Sequence, residues 1–145
     1  MTDLKEQVMG RFSIEVELSN NEDLIRSKIG ILPASAVRRV RIRGVVDSGA
    51  TRLVIPESVA NQLGVEISGS AKVRYADGRT ADRSIARGIY LAYGGRDSVF
   101  SAVVEPGRES ALIGAIVLEE LDFLVDCSGQ RLVPRDPNQI VSEAE

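Results

Sequence analysis

The sequence predicts a mostly β domain that closes, or nearly closes, into a barrel. Three observations carry this: several short segments alternate apolar and polar side chains, turn residues separate them at regular intervals, and only two short stretches have a helical pattern. The clearest alternation is Phe-Ser-Ile-Glu-Val-Glu-Leu from Phe12 to Leu18, with one apolar face and one wet face. Asn20 and Asn21 interrupt it, and Glu22 to Lys28 suits a short helical turn that Gly30 and Pro33 bring to a stop. A second strand is expected from Val37 to Val46, running directly into Asp47-Ser48-Gly49.

Pro56 suits a first helical position, where its missing N–H has no partner to lose, and Gly64 suits a helix end. Val59, Ala60 and Leu63 supply the apolar face of the short helix between them. Lys72 to Tyr75 and a polar strand toward Ile85 flank Ala76-Asp77-Gly78-Arg79, where Asp-Gly favours a tight hairpin. That hairpin offers little apolar surface, which marks it as a mobile element rather than a core one. Ile89 to Tyr93 and Val99 to Val104 read as strands joined through Gly94-Gly95. The second helix is expected at Ala115 to Leu121, and Phe123 to Val125 and Arg131 to Val133 flank a Ser128-Gly129 turn. No boundary divides the chain, so positions 1–145 form a single domain with a core at about 12–134 and a polar tail at 135–145.

Composition narrows the chemistry. With 145 residues, 43% of them hydrophobic, the chain can bury a core without disulfides or metal. One cysteine, Cys127, cannot close an internal bridge, and the absence of histidine removes the usual zinc sets and the Ser-His and Cys-His catalytic pairs. No metal and no cofactor are expected. The opening residues lack the basic and apolar regions of a secretion signal, so a cytoplasmic location is expected. The longest apolar run, Ala111 to Leu118, falls far short of the ~20 residues of a membrane helix. A net charge of -3 argues against nucleic acid as a partner, and the local cluster Arg38, Arg39, Arg41 and Arg43 reads as a solvated strand edge.

The residues with chemical content begin at Val45-Val46, which deliver Asp47 from a strand into Ser48-Gly49-Ala50-Thr51. Here the sequence resembles the pepsin-like and retroviral aspartic proteases, whose signature is apolar-apolar-Asp-Thr/Ser-Gly-Ala/Ser. The second half of the resemblance is Leu112-Ile113-Gly114, an apolar-apolar-Gly segment that in the family threads beside the catalytic loop. Asp-Ser-Gly alone occurs in many turns for local hydrogen-bonding reasons, so the ordered pair of motifs carries the specificity. Gly30 to Pro33, Leu53-Val54-Ile55-Pro56, Gln62-Leu63-Gly64 and Leu121 to Asp126 extend the likeness to a bacterial branch of small, single-domain retropepsin-like proteins.

The resemblance implies one lobe of the acid protease fold and an aspartic endopeptidase. That chemistry needs two carboxylates ~3 Å apart sharing one proton, one activating water while the other protonates the peptide carbonyl. The chain supplies only Asp47; Asp126-Cys127-Ser128-Gly129 carries an inserted cysteine, and no internal repeat offers a second copy of the motif. A homodimer with Asp47 of each subunit at a two-fold axis completes the dyad. By resemblance, Ser48 braces the partner loop, Gly49 admits the substrate backbone, and Ala50 and Thr51 support the loop. Tyr75, Ala76, Asp77, Gly78 and Arg79 form the flap over a peptide or protein substrate. Thr51, Arg52 and Ala115 depart from the viral pattern, in which acidic residues and an arginine are often found at these places. The alternative is a non-catalytic dimeric module that binds peptide on the same fold.

Overall fold

In the computed structural model, which describes residues 11–144, six strands close on themselves. β1 (Phe12–Asn20) pairs antiparallel with β2 (Arg39–Val46), and β2 pairs parallel with β7 (Ala111–Ile113). β7 runs antiparallel to β3 (Leu53–Pro56), which is parallel to β6 (Arg96–Glu105). β6 pairs with β5 (Thr80–Tyr93), and the far half of β5 returns to β1, so the barrel has no open edge. β4 (Ile67–Arg74) pairs with the near half of β5 and projects from the barrel as a hairpin. β8 (Phe123–Asp126) and β9 (Arg131–Pro134) form a separate two-stranded ribbon.

The alternation read from the sequence sets the inside of the barrel. Val16, Leu18, Val46, Leu53, Ile55, Ile89, Leu91 and Ile113 are all fully buried, and α2 (Glu57–Leu63) and α3 (Ala115–Leu121) add Leu63 and Val117 to the same core. Burying a side chain of this size contributes about 1.5–3 kcal/mol, so these ten positions dominate the stability of the fold. Among the described residues no helix is long and apolar enough to cross a membrane.

Four local expectations are revised by the structure. First, the segment after β1 is a full helix, α1 (Asn21–Lys28), making three α-helices among the described residues rather than two. Asn20 ends the strand and caps the helix at once: its side chain accepts from Asp23 N–H at 3.0 Å and donates to Leu63 O at 2.8 Å. Second, the polar strand toward Ile85 and the strand Ile89–Tyr93 are one element, β5, with a shift of register between Ala86 and Ile89. Gly88, at φ +68, absorbs that bulge. Third, Pro56 is the last residue of β3, with ψ 146, and α2 begins after it; Gly64 ends α2 in the left-handed region, as expected. Fourth, β2 is not a sheet edge. It lies between β1 and β7, and its arginines stand on the outer face, where Arg41 and Arg39 meet Glu15 and Glu17 of β1.

The buried carboxylate of Asp23 ties α1 to the start of β2. It accepts from Arg38 Nε at 2.8 Å, Arg38 Nη2 at 3.0 Å and Arg38 N–H at 3.1 Å. The Arg38 guanidinium, against the opposing cost of burial, holds the Asp23 carboxyl below its ordinary 3.8. A carboxyl lowered by folding stabilises the protein in full above the ordinary carboxylate range, and that contribution disappears as the pH falls through its folded value. The denaturation midpoints of the native protein and Asp23→Asn are therefore expected to differ clearly near pH ~6 and to converge below pH ~3. Urea titrations at a series of pH values measure the difference; a constant gap down to the lowest pH would contradict it.

Candidate active site

β2 carries Asp47 out of the barrel wall, and the loop that follows is held by the backbone of the second motif. Asp47 N–H donates to Ile113 O at 3.1 Å, Ala115 N–H to Ala50 O at 2.8 Å, and Ile116 N–H to Thr51 O at 2.9 Å. Leu112 stands in register with Val45 on one side and Val54 on the other, so β7 fills the gap between the strands that enter and leave the Asp47 loop. Gly114 is pressed directly against that loop: a Cβ there would lie 2.5 Å from Arg52 O and 2.7 Å from the Thr51 carbonyl carbon. The structure thus brings Asp47, Ser48, Gly49, Ala50 and Thr51 together with Leu112, Ile113 and Gly114.

Within the loop, Asp47 Oδ1 accepts from Gly49 N–H at 3.0 Å and Ala50 N–H closes the turn onto Asp47 O at 3.1 Å. The carboxylate is mostly buried, with 17% of its side chain accessible, whereas Ser48 and Gly49 are exposed. Asp47 Oδ2 meets Arg11 Nη2 at 3.0 Å. Arg11 has no motif to mark it in the sequence. Its place follows from register: Phe12 pairs with Val46 in an antiparallel ladder, so the residue before Phe12 stands opposite the residue after Val46. Opposite charges facing each other across a ladder attract.

The hairpin of β4 and β5 has the expected tight end. Gly78 N–H donates to Tyr75 O at 2.9 Å, Tyr75 N–H donates to Arg79 O at 2.8 Å, and Gly78 takes φ +87, which only glycine adopts readily. Asp77 braces the turn by accepting from Arg79 N–H at 3.0 Å and Arg79 Nε at 2.6 Å. These bonds, the backbone one foremost, lower the Asp77 carboxyl from its ordinary value. No hydrogen bond joins the tip to the Asp47 loop among the described residues.

The turn end of the hairpin is tied to the end of β6 by two residues that sequence reading did not single out. The Tyr75 hydroxyl lies 2.8 and 2.9 Å from the two Glu105 carboxylate oxygens, and Arg83 Nε donates to Glu105 Oε1 at 2.8 Å and to the Tyr75 hydroxyl at 2.9 Å. Scarcity of apolar contact is thus offset at this end by a charge-assisted network. Removing the hydroxyl with Tyr75→Phe is expected to cost about 1 kcal/mol and to speed amide exchange between residues 72 and 83. Unchanged exchange there would show that the network does not restrain the hairpin.

Residues 36–117, more than half of the chain, match a family model described as aspartyl protease. The chain belongs to the aspartyl protease family. The barrel agrees: the structure of EIAV protease complexed with the inhibitor HBY-793 is similar to it at TM-score 0.52 and 15% identity, over 85% of this chain and 92% of that one. The solution structure of simian foamy virus (mac) protease is also similar, at TM-score 0.47 and 13% identity, over 74% and 91% of the two chains. No curated protein matches the sequence. The first of these likenesses shows the retropepsin-like fold.

In this aspartyl protease family member, the other Asp-containing turn has a plain structural role. Asp126 Oδ1 accepts from Gly129 N–H and Ser128 Oγ, both at 3.0 Å, while Oδ2 meets Arg131 at 3.0 Å, closing the β8–β9 hairpin. Its carboxyl is lowered by those bonds, that of Gly129 first. Asp126 is therefore a turn residue with both oxygens engaged locally, and Cys127 beside it is exposed.

Proposed function

We propose that the chain is half of an aspartic endopeptidase. Two copies meet about a two-fold axis, set their Asp47 carboxylates ~3 Å apart, and hydrolyse peptide bonds with a water held between them. The observation that carries this reading is the clamped loop, in which Asp47 is held at the barrel surface by Gly49 N–H while Ile113 and Gly114 fix the backbone around it. A carboxylate positioned before substrate arrives loses little on reaching the transition state.

Each neighbouring residue then has a role. The exposed Ser48 hydroxyl reaches across the axis to the partner's loop, and Gly49 leaves room for the substrate backbone. The Tyr75–Arg79 turn closes over the bound peptide and excludes water. Arg11, whose side chain is 53% exposed, gives up Asp47 Oδ2 to water as the second carboxylate arrives.

The test is cleavage of a diverse peptide library at decreasing protein concentration, between pH ~4 and ~8, with sedimentation of the same samples. Cleavage per mole of chain is expected to fall on dilution in step with loss of the dimer. Constant specific activity from a monomer would eliminate the shared dyad, and absence of cleavage throughout would eliminate the enzyme.

A further inference from the structure

We infer that the cleft beside Asp47 selects peptides with acidic side chains near the scissile bond, and that Arg43 and Arg108 are the residues that read them. This rests on the peptidase reading above and adds the substrate class. Side chains alternate along β2, so Arg43, Val45 and Asp47 share its outer face. Leu112 of β7 lies in register beside Val45, and Arg11 stands opposite Asp47. The outer face next to Asp47 is therefore a short apolar floor, Val45 and Leu112, with Arg11 at one end and Arg43 at the other.

Arg108 stands at the start of β7, beside this floor. It lies in the connection between β6 and β7 and donates to Ser110 O at 2.6 Å, with longer contacts at 3.4 Å to Ser110 Oγ and Ala111 O. All of these acceptors are neutral. Ala111 lies in register with Gly44 of β2, between Arg43 and Val45, so these bonds set Arg108 beside that stretch of β2, where the charges of Glu105, Arg11, Arg43 and Asp47 also act on it. Burial foremost, then Arg11 and Arg43, make its charged form less favourable than that of an arginine in water.

Neither Arg43 nor Arg108 has a carboxylate within 4.0 Å among the described residues. The acids nearest to hand are engaged elsewhere: Glu15, opposite Arg43 in the ladder, meets Arg41, and Glu105 is held by Arg83 and Tyr75. Glu109, next to Arg108, is exposed and pairs with neither. Two guanidinium groups without a carboxylate partner, Arg43 and Arg108, thus stand near a site whose carboxylate, Asp47, is already paired with Arg11, in a chain of net charge -3. Arg108, half-buried and unpaired, gains more from an incoming carboxylate than a solvated guanidinium does, because local screening is weaker, and the exposed Arg43 adds its charge from the rim. A Glu or Asp side chain of an extended peptide supplies that carboxylate, while a Lys side chain meets repulsion.

The experiment is a positional peptide library in which each position in turn carries Glu, Gln or Lys, assayed with the native protein, Arg43→Gln, Arg108→Gln and Arg108→Lys. The expected result is kcat/KM about tenfold higher for the best Glu peptides than for their Gln counterparts, with Lys lowest. That ratio should shrink toward one in the two Gln variants, survive in Arg108→Lys, and decline with added salt. Equal cleavage of Glu and Gln peptides, or preference for Lys, overturns the inference while leaving the peptidase intact. Should nothing be cleaved, the peptidase reading fails, and fluorescence anisotropy of the same labelled peptides decides the inference separately. Salt-sensitive binding of Glu peptides that weakens in the Gln variants upholds the charge-reading surface; binding indifferent to charge ends it.

Discussion

Asp47→Asn is expected to abolish peptide cleavage, by a factor on the order of 10²–10⁴ or more, while leaving the fold intact. The two halves of this expectation come from different atoms of one side chain. An asparagine at this position keeps the side-chain oxygen that accepts from Gly49 N–H, so the loop retains its internal bond, and the backbone bond from residue 47 to Ile113 O is untouched. What is lost is the ionisable group. Without it the proposed dimer has no proton to share and no base to take one from water. The accompanying loss of the Arg11 ion pair leaves an exposed guanidinium that water can solvate, so the fold tolerates it. Thermal melting close to that of the native protein, together with absent cleavage, is the expected combination. Cleavage that survives in the variant points to a contaminating protease; a variant that no longer melts cooperatively would mean that the charge of Asp47 serves folding.

Gly114→Ala is expected to damage the protein in the opposite way, through its fold. Gly114 has φ -91, a value open to any residue, so backbone freedom is not what requires glycine here. Space is. The added methyl would sit 2.5 Å from Arg52 O, 2.7 Å from the Thr51 carbonyl carbon and 2.8 Å from Arg52 N. All three atoms belong to backbone, which cannot rotate aside as a side chain does, so the two motifs must separate. The expected cost is about 3 kcal/mol, read as a fall in melting temperature of roughly 10 °C, with loss of the Ala115–Ala50 and Ile116–Thr51 bonds and of activity. Gly49→Ala provides the contrast. Its methyl would lie 3.2 Å from Asp47 Oδ1, a tight contact with the Asp47 side chain alone, so activity should fall while the melting temperature stays near that of the native protein. Equal melting of native and Gly114→Ala protein would refute the packing argument.

Much of the barrel was legible because its signals are local. Alternation from Phe12 to Leu18, the Asp77-Gly78 turn and the Gly64 helix end each depend on a few consecutive residues, and each appears where expected. The errors arose where an element depends on a partner. β5 reads as two strands because Gly88 interrupts the pattern, yet β1, β4 and β6 hold its halves in one continuous strand. α1 looks too short to stand alone, and by itself an eight-residue helix would be marginal; Asn20 bonded to Leu63 and Asp23 bonded to Arg38 hold it in place. The arginines of β2 look like an edge because charge and alternation are common there, whereas the neighbours that make β2 interior lie far away in the chain.

The candidate site divides in the same manner. Residue types and their order come from the chain alone: an aspartate delivered by two valines, a Ser-Gly turn, and an apolar-apolar-Gly segment. These are properties of short segments, and covalent order preserves them. The surroundings of the aspartate were set by folding. Arg11 comes opposite Asp47 through strand register, Arg108 is held at the start of β7 by Ser110 and Ala111, and Glu105 joins Tyr75 and Arg83 beside the β4–β5 turn. Charges separated by tens of residues act on one another through distance in space, and closing the barrel is what sets those distances.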